Sequence, residues 1–457
     1  MSSPAETPLR NWSLVAGRLN AVQLRVVLFL MAFAFLCHFN RVGMSVAGTE
    51  RLMHEFEFSE EQMGAVYSAY LLVYTLLMIP GGWLIERVGP RWALGCMGIG
   101  STVLVVLTGL PGWGLIPAAA ALPAFLLIRG MLGAVTAPMH PGAARAIALW
   151  VPATVRARGN GLVTGAAALG IAATYYLFGH LMDSLTWPGA FLAAGLATAV
   201  LTGAWLLTTT DRPSEPALEE IVTSSPDSGQ AGAARAAERS GAIPPDQSVA
   251  GLTSIVSLLR DRSLLLIAIS YGAYGYFQYL FFYWIEFYFH EILSLSTEMS
   301  RFYSTIAILA MGVGMVAGGF CSDRLQGIWG ARRGRAAVAI GGMVASALFA
   351  IAGIHLEQPG WVVVCFALAM GALGMCEGPF WTTAVDLGGS RGGLAAAILN
   401  TGGNIGGTMA PFATPLFAHY FNWRAGIELG CLFCALGAAL WLWIKPGENA
   451  DAWSEPK

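Results

Sequence analysis

Gly82-Trp-Leu-Ile-Glu86-Arg87-Val-Gly89-Pro-Arg91 is a short charged hinge between two apolar runs, each long enough to cross a bilayer. It has a partner 237 positions later, Gly319-Phe-Cys-Ser-Asp323-Arg324, followed by the basic cluster Arg332, Arg333 and Arg335. A charged hinge repeated at half the chain's length points to two homologous halves. In a membrane, two such halves usually rock about a shared midplane site.

The composition places the chain in a membrane. Charged residues are 11% of it, against about 25% in ordinary soluble domains. Apolar residues are 56%, too many for a soluble surface to cover. The net charge of -2 gives no footprint for nucleic acid. The seven cysteines lie in apolar stretches without disulfide or metal-site spacing, so they read as small packing residues. No cleavable leader is expected, because residues 1–23 are polar and the first apolar run is long enough to span and stay. Without a metal cluster, nucleophile elbow or phosphate loop, no enzyme and no cofactor are expected.

Twelve apolar segments of spanning length can be counted: 25–47, 62–84, 92–110, 118–140, 158–181, 188–208, 264–288, 302–322, 336–355, 361–384, 393–418 and 424–444. The reading is an all-α membrane protein of twelve transmembrane helices in two pseudo-symmetric six-helix bundles. Residues 25–208 and 263–445 form the bundles. Residues 209–262 form a polar Pro/Ser/Ala/Glu-rich linker, with tails at 1–24 and 446–457. Within the linker, 249–260 reads as a short helix on the membrane surface. Arginines gather in alternate loops, while residues 49–61 carry five glutamates against Arg51. By the positive-inside rule, both termini and the linker are cytoplasmic.

Two further pairs support the duplication. Gly130-Met-Leu132-Gly133 with Pro138 matches Gly371-Ala-Leu373-Gly374 with Pro379, at an offset of 241. Thr164-Gly165 with Gly170 matches Thr401-Gly402 with Gly407, at 237. Three matches in order at nearly one offset describe a six-plus-six architecture.

The hinge pattern Gly-x-x-x-[Asp/Glu]-Arg-x-Gly-x-Arg resembles the signature loop of the major facilitator superfamily, and Arg129 with Gly133 resembles its second motif. Asn40-Arg41, Pro80-Gly81-Gly82, Trp150-Val-Pro152 and Asn400-Thr-Gly-Gly-Asn404-Ile-Gly-Gly407 are similar to the anion:cation symporter branch. That branch includes sugar-acid, sialic-acid, phosphate and vesicular glutamate carriers. The resemblance implies that Gly82, Glu86, Arg87, Gly89 and Arg91, and likewise Gly319, Asp323 and Arg324, latch helices on the cytoplasmic face in the outward-open state. It also implies that Arg41 grips a substrate carboxylate.

The residues themselves agree with part of this. A charge inside a span should face protein or water, and a guanidinium fork matches a carboxylate. The alternative for Arg41 is a snorkelling arginine near the end of the first span. Arg129 reads first as structural, bonding carbonyls or an acid on a neighbouring helix. Where proton-coupled members of the branch carry an Asp before the first-span arginine and a Glu in span four, this chain has Asn40 and Thr136. Where they hold substrate hydroxyls with a Gln in span five, it has Ala167. Through the repeat offsets, position 136 maps onto Glu377 and Ala167 onto Asn404. A carboxyl at the depth of Glu377 could take up and release a proton; the alternative is a fixed ion pair. His140 is a second proton-relay candidate, with a buried hydrogen-bonded role as its alternative. Glu286 and Asp386 read as interfacial or gate residues. Gln278, Tyr279, Trp381 and Thr382 join Asn404 as residues that shape a cavity for the body of the anion.

The expected function is alternating-access transport of a small organic anion (a carboxylate) in a bacterial inner membrane, as a proton-coupled symporter and a monomer. The alternatives are an uncoupled facilitator or effluxer, and a non-transporting membrane sensor.

Overall fold

The computed structural model describes residues 20–151, 155–210 and 257–444. Residues 1–19, 152–154, 211–256 and 445–457 lie outside that range, and with them 249–256 of the expected surface helix, most of the linker and most of the tails. So do the surroundings of the Glu86 side chain. Among the described residues every regular element is a helix. The first half comprises α1 (Ala21–Ala47), α2 (Glu60–Val88), α3 (Pro90–Leu107), α4 (Ala118–Thr136), α5 (Met139–Trp150), α6 (Arg156–Ala173) and α7 (Gly179–Thr208). The second comprises α8 (Arg262–Phe287), α9 (Thr297–Ile354), α10 (Pro359–Gly374), α11 (Glu377–Gly388), α12 (Gly392–Tyr420) and α13 (Trp423–Leu440). Among the described residues, eight helical stretches are long and apolar enough to cross a membrane. Two of the long helices hide a break: α7 turns at Thr186 and α9 at Gly330.

Local chemistry sets the ends. Asn20 and Ser59 each close a capping box with a glutamine three residues on, satisfying first-turn donors of α1 and α2. Ser296 and Asn422 cap α9 and α13 through their side chains. Pro138 and Pro379 lie beside the α4/α5 and α10/α11 breaks, so the matched prolines of the repeat sit at matched interruptions.

The hinges also match in backbone shape. Gly89 has φ 79° and ψ 158° between α2 and α3. Gly330 has φ 80° and ψ 160° inside α9. Only glycine adopts this region without strain. The second hinge therefore carries its turn glycine four residues later than the first, counted from Gly82 and Gly319.

The halves are bonded at one end of the molecule. Ser68 donates to the Thr408 carbonyl at 2.8 Å, and Tyr175 to the Phe282 carbonyl at 2.7 Å. Trp423 Nε1 donates to Glu60 at 3.1 Å, and the Tyr67 and Tyr283 rings stack at 5.0 Å. Arg301 on α9 binds Glu50 and Asp183 of the first half. Deeper in, Asn400 and Asn404 reach the Met78 sulfur. Beyond Met78, toward Gly89 and Gly330, Arg91 bonds the Leu206 carbonyl and Arg335 pairs with Asp386, each within its own half. The molecule is closed at one end and parted at the other.

Candidate functional site

Arg41 lies in α1 on the inner side of the closed end and is 5% exposed. One nitrogen donates to the Tyr279 hydroxyl at 3.3 Å, across the interface between the halves. The guanidinium sits over the rings of Tyr279 and Tyr70, at 5.3 and 5.9 Å from their centroids. Aromatic faces attract a cation but do not neutralise it. Among the described residues no carboxylate lies within ion-pair distance of Arg41, and its Nε has no hydrogen-bond partner. A buried cation left unpaired is costly, so such a site favours an anion.

Arg129 holds this arginine in place. Its guanidinium, 1% exposed, donates to the carbonyls of Asn40 and Arg41, the latter at 2.7 Å. It also lies over the Tyr70 ring at 5.6 Å. Arg129 thus grips the backbone of α1 at the residue that presents the free charge. The Asn40 side chain points away, donating to Thr198 on α7. Thr136 is tied to the Tyr70 hydroxyl at 2.7 Å.

A second polar group is built around Glu377, at the start of α11. Its Oε1 accepts from the Tyr271 hydroxyl at 2.9 Å and from Trp381 Nε1 at 2.8 Å. Its Oε2 is buried without a partner. Among the described residues no cation lies within ion-pair distance, so the fixed-ion-pair alternative has no partner there. Tyr271 and Tyr279 lie on one helix, eight residues apart. At 1.5 Å per residue this separates the carboxyl cluster from the Arg41 cluster by about 12 Å along α8.

The sequence candidates divide accordingly. Arg41, Arg129 and Tyr279 form one group; Glu377 and Trp381 form the other. His140 joins the first through His38, whose ring lies 5.3 Å away and whose Nδ1 pairs with the Ala34 carbonyl. His38 was not among the expected residues, although it stands one helical turn before Arg41 on the same face. Asn404 is anchored by Asn400 and faces Met78. Two expected lining residues are not brought to either group. Gln278 turns to the Met311 sulfur on α9, and Thr382 is exposed with its hydroxyl bonded back to its own helix. Tyr271 is an unexpected member.

The hinge residues lie at the parted end. Arg91 donates to the Leu206 carbonyl at 2.7 Å and stacks on Trp92, within its own half. Arg87, Asp323 and Arg324 are exposed, and an added Cβ at Gly82 or Gly319 would meet open space. Asp386 pairs with Arg335, again within one half. A groove of about 860 Å³ between α8, α12 and α13 presents apolar side chains outward, as a lipid-facing flank does, and has no part in either polar group.

Comparison with known proteins gives a consistent picture. The family model described as Major Facilitator Superfamily matches residues 30–394. A probable galactarate/D-glucarate transporter of Bacillus subtilis is 25% identical over 436 residues, covering 91% of this chain and 89% of its own. A probable sulfoacetate transporter of Cupriavidus necator is 25% identical over 423 residues, covering 92% and 93%. Among solved structures, a bacterial homologue of the human lysosomal transporter Spinster, inward-facing and unoccupied, superposes with a TM-score of 0.74. It is 16% identical and covers 93% of this chain and 98% of its own, which speaks for the fold.

Proposed function

The chain belongs to the major facilitator superfamily, and from that membership we propose that it carries a small organic anion with a carboxylate across the membrane by alternating access. The observation that carries the proposal is Arg41: a buried guanidinium between the halves, fixed by Arg129, with no acid beside it among the described residues. The names of the two relatives point to dicarboxylic sugar acids and to sulfoacetate, all small organic anions.

In this reading the helices make twelve passes: α4 with α5, α6 with the part of α7 before Thr186, and α10 with α11 each make one, and α9 makes two across Gly330. The termini and linker are cytoplasmic in a bacterial inner membrane, in keeping with the arginine-rich loops. The bonded end then faces outward and the state is inward-open. The hinge latches act in the opposite state, which accords with Arg91 bonding inside its own half and with the exposure of Asp323 and Arg324.

Coupling is assigned to a proton, with Glu377 as its carrier and His140 as a relay beside the anion. The half-unpaired, cation-free carboxyl of Glu377 supports this. Tyr279, Trp381 and Asn404 shape the cavity between the carboxyl and Arg41. The uncoupled alternative draws on Asn40 and Thr136, whose side chains are committed to packing bonds.

Uptake into proteoliposomes under an imposed pH gradient separates the two. Wild-type protein should accumulate the anion, and Glu377→Gln should keep anion exchange while losing gradient-driven accumulation. Uptake indifferent to the gradient in both would overturn the coupling. Unaltered anion affinity in Arg41→Ala would overturn the anchor.

A further inference from the structure

The closed end contains a carboxyl that the proposed transport cycle does not use. Glu286, near the end of α8, is 2% exposed, and neither of its oxygens has a hydrogen-bond partner. The arginines around it are committed elsewhere. Arg301, 2% exposed, spends Nε and one terminal nitrogen on Glu50 and both terminal nitrogens on Asp183. Arg51 pairs with Asp183 at 3.0 Å, on the partly exposed rim. The Tyr67 and Tyr175 hydroxyls donate to the carbonyls of Ser45 and Phe282. The Thr49 hydroxyl lies against Glu286 without making a geometrically sound bond to it. Glu291 stands at the rim beside His54 and His290, at 3.7 Å from each.

The charge count is then decisive. Arg51 and Asp183 compensate each other at the rim. Inside, Glu50 and Glu286 face one arginine, and Glu50 holds it. Two ionised carboxyls cannot be buried against a single guanidinium at acceptable cost, and the group relieves the excess by binding a proton.

We propose that Glu286 and Glu50 form a proton-binding site in the closed end, holding one proton between them whenever that end is shut. The inference rests on the orientation and alternating access proposed above, but the site is separate from Glu377. Opening the end parts Arg301 from Glu50 and admits water to Glu286, which releases the proton to the outer phase. Closing it again takes one proton up from that phase. One linked proton changes the open-to-closed ratio by up to about tenfold per pH unit, in favour of the open form as the outside becomes more alkaline.

Infrared spectroscopy of the purified protein in lipid nanodiscs reads the proton directly. On a Glu377→Gln background, which removes the other carboxyl proposed to hold a proton, the protonated-carboxyl C=O band, identified by its shift in heavy water, should disappear in Glu286→Gln. It should disappear in Glu50→Gln as well, because Arg301 then neutralises Glu286 as a carboxylate. A contribution that survives either substitution overturns the proposal. If Glu286→Gln does not fold, Glu50→Gln decides alone. The readout needs no substrate, so failure to transport an anion and failure of this site are distinguishable.

Gate motion gives a second test. Ser300, fully buried beside Arg301, becomes a reporter as Ser300→Cys, labelled by a membrane-impermeant maleimide from outside. The labelling rate, relative to the same reporter in Glu286→Gln, should rise by up to about tenfold per pH unit as the outside becomes alkaline. A ratio that stays flat overturns the proposal.

Discussion

At the scale of single residues, two buried arginines of one half have opposite effects on stability. Arg41 is a cation without an acid among the described residues; Arg129 is a donor whose bonds are mostly made. Replacing Arg41 by Met removes an uncompensated buried charge, and the ligand-free protein should become more stable by about 1–3 kcal/mol while anion binding is lost. Replacing Arg129 by Met leaves the Asn40 and Arg41 carbonyls without their partner. That should destabilise by about 1–3 kcal/mol and weaken binding too, because Arg41 loses its support. Thermal unfolding in detergent, with and without anion, reads both effects. A ligand-free stability change of the same sign in the two variants would sink the distinction.

What could be read at this scale followed depth and charge. Arg41 and Glu377 stood out because a charge inside an apolar run needs a reason. Gln278 was picked by depth alone, and depth does not say which way a side chain points: neighbours on a helix face about 100° apart, and Gln278 meets the Met311 sulfur. Glu50 sat among other glutamates and read as a loop acid. Its arginine lies 251 residues away, so only the packed halves bring the pair together.

At the scale of elements, the repeat made the hinges legible and partly hid one of them. Counting from Gly319 places the second turn too early, because Gly330 comes four residues later than Gly89 does in the first hinge. Apolar periodicity could not show this, since it is blind to where a turn glycine falls within a polar insert. The break of α7 at Thr186 was bracketed by the gap between two apolar runs, but its non-glycine positive φ was not foreseeable. The common backbone shape of Gly89 and Gly330 predicts a common cost. Ala at either position should destabilise by about 1–3 kcal/mol, as strain in a region reserved for glycine. At Gly330 an added Cβ meets nothing, so there the cost would be conformational alone. Differential scanning fluorimetry of Gly330→Ala checks this. An unchanged unfolding temperature would mean that the hinge can take another shape without penalty.

At the scale of the whole molecule, function depends on one end closing tightly enough to exclude water while the other parts. Small residues make the close approach possible. An added Cβ at Gly64 on α2 would collide with the backbone of Pro411 and Phe412 on α12. Backbone cannot swing aside as a side-chain tip can, so the halves must separate there. Gly64 lies on the same interface as the Ser68–Thr408 bond, one helical turn away, so the wedge acts where the closed end is held. Gly64→Val should therefore leave each half folded but disfavour the closed end. Net transport should fall by at least about tenfold, since closure costing an extra 1.4 kcal/mol already lowers its population tenfold. Labelling of Ser300→Cys from outside should rise in the same variant at every pH, because the wedge acts on packing and not on the proton. A transporter that keeps its rate and shields Ser300→Cys with valine at position 64 would show that this face does not close in the cycle.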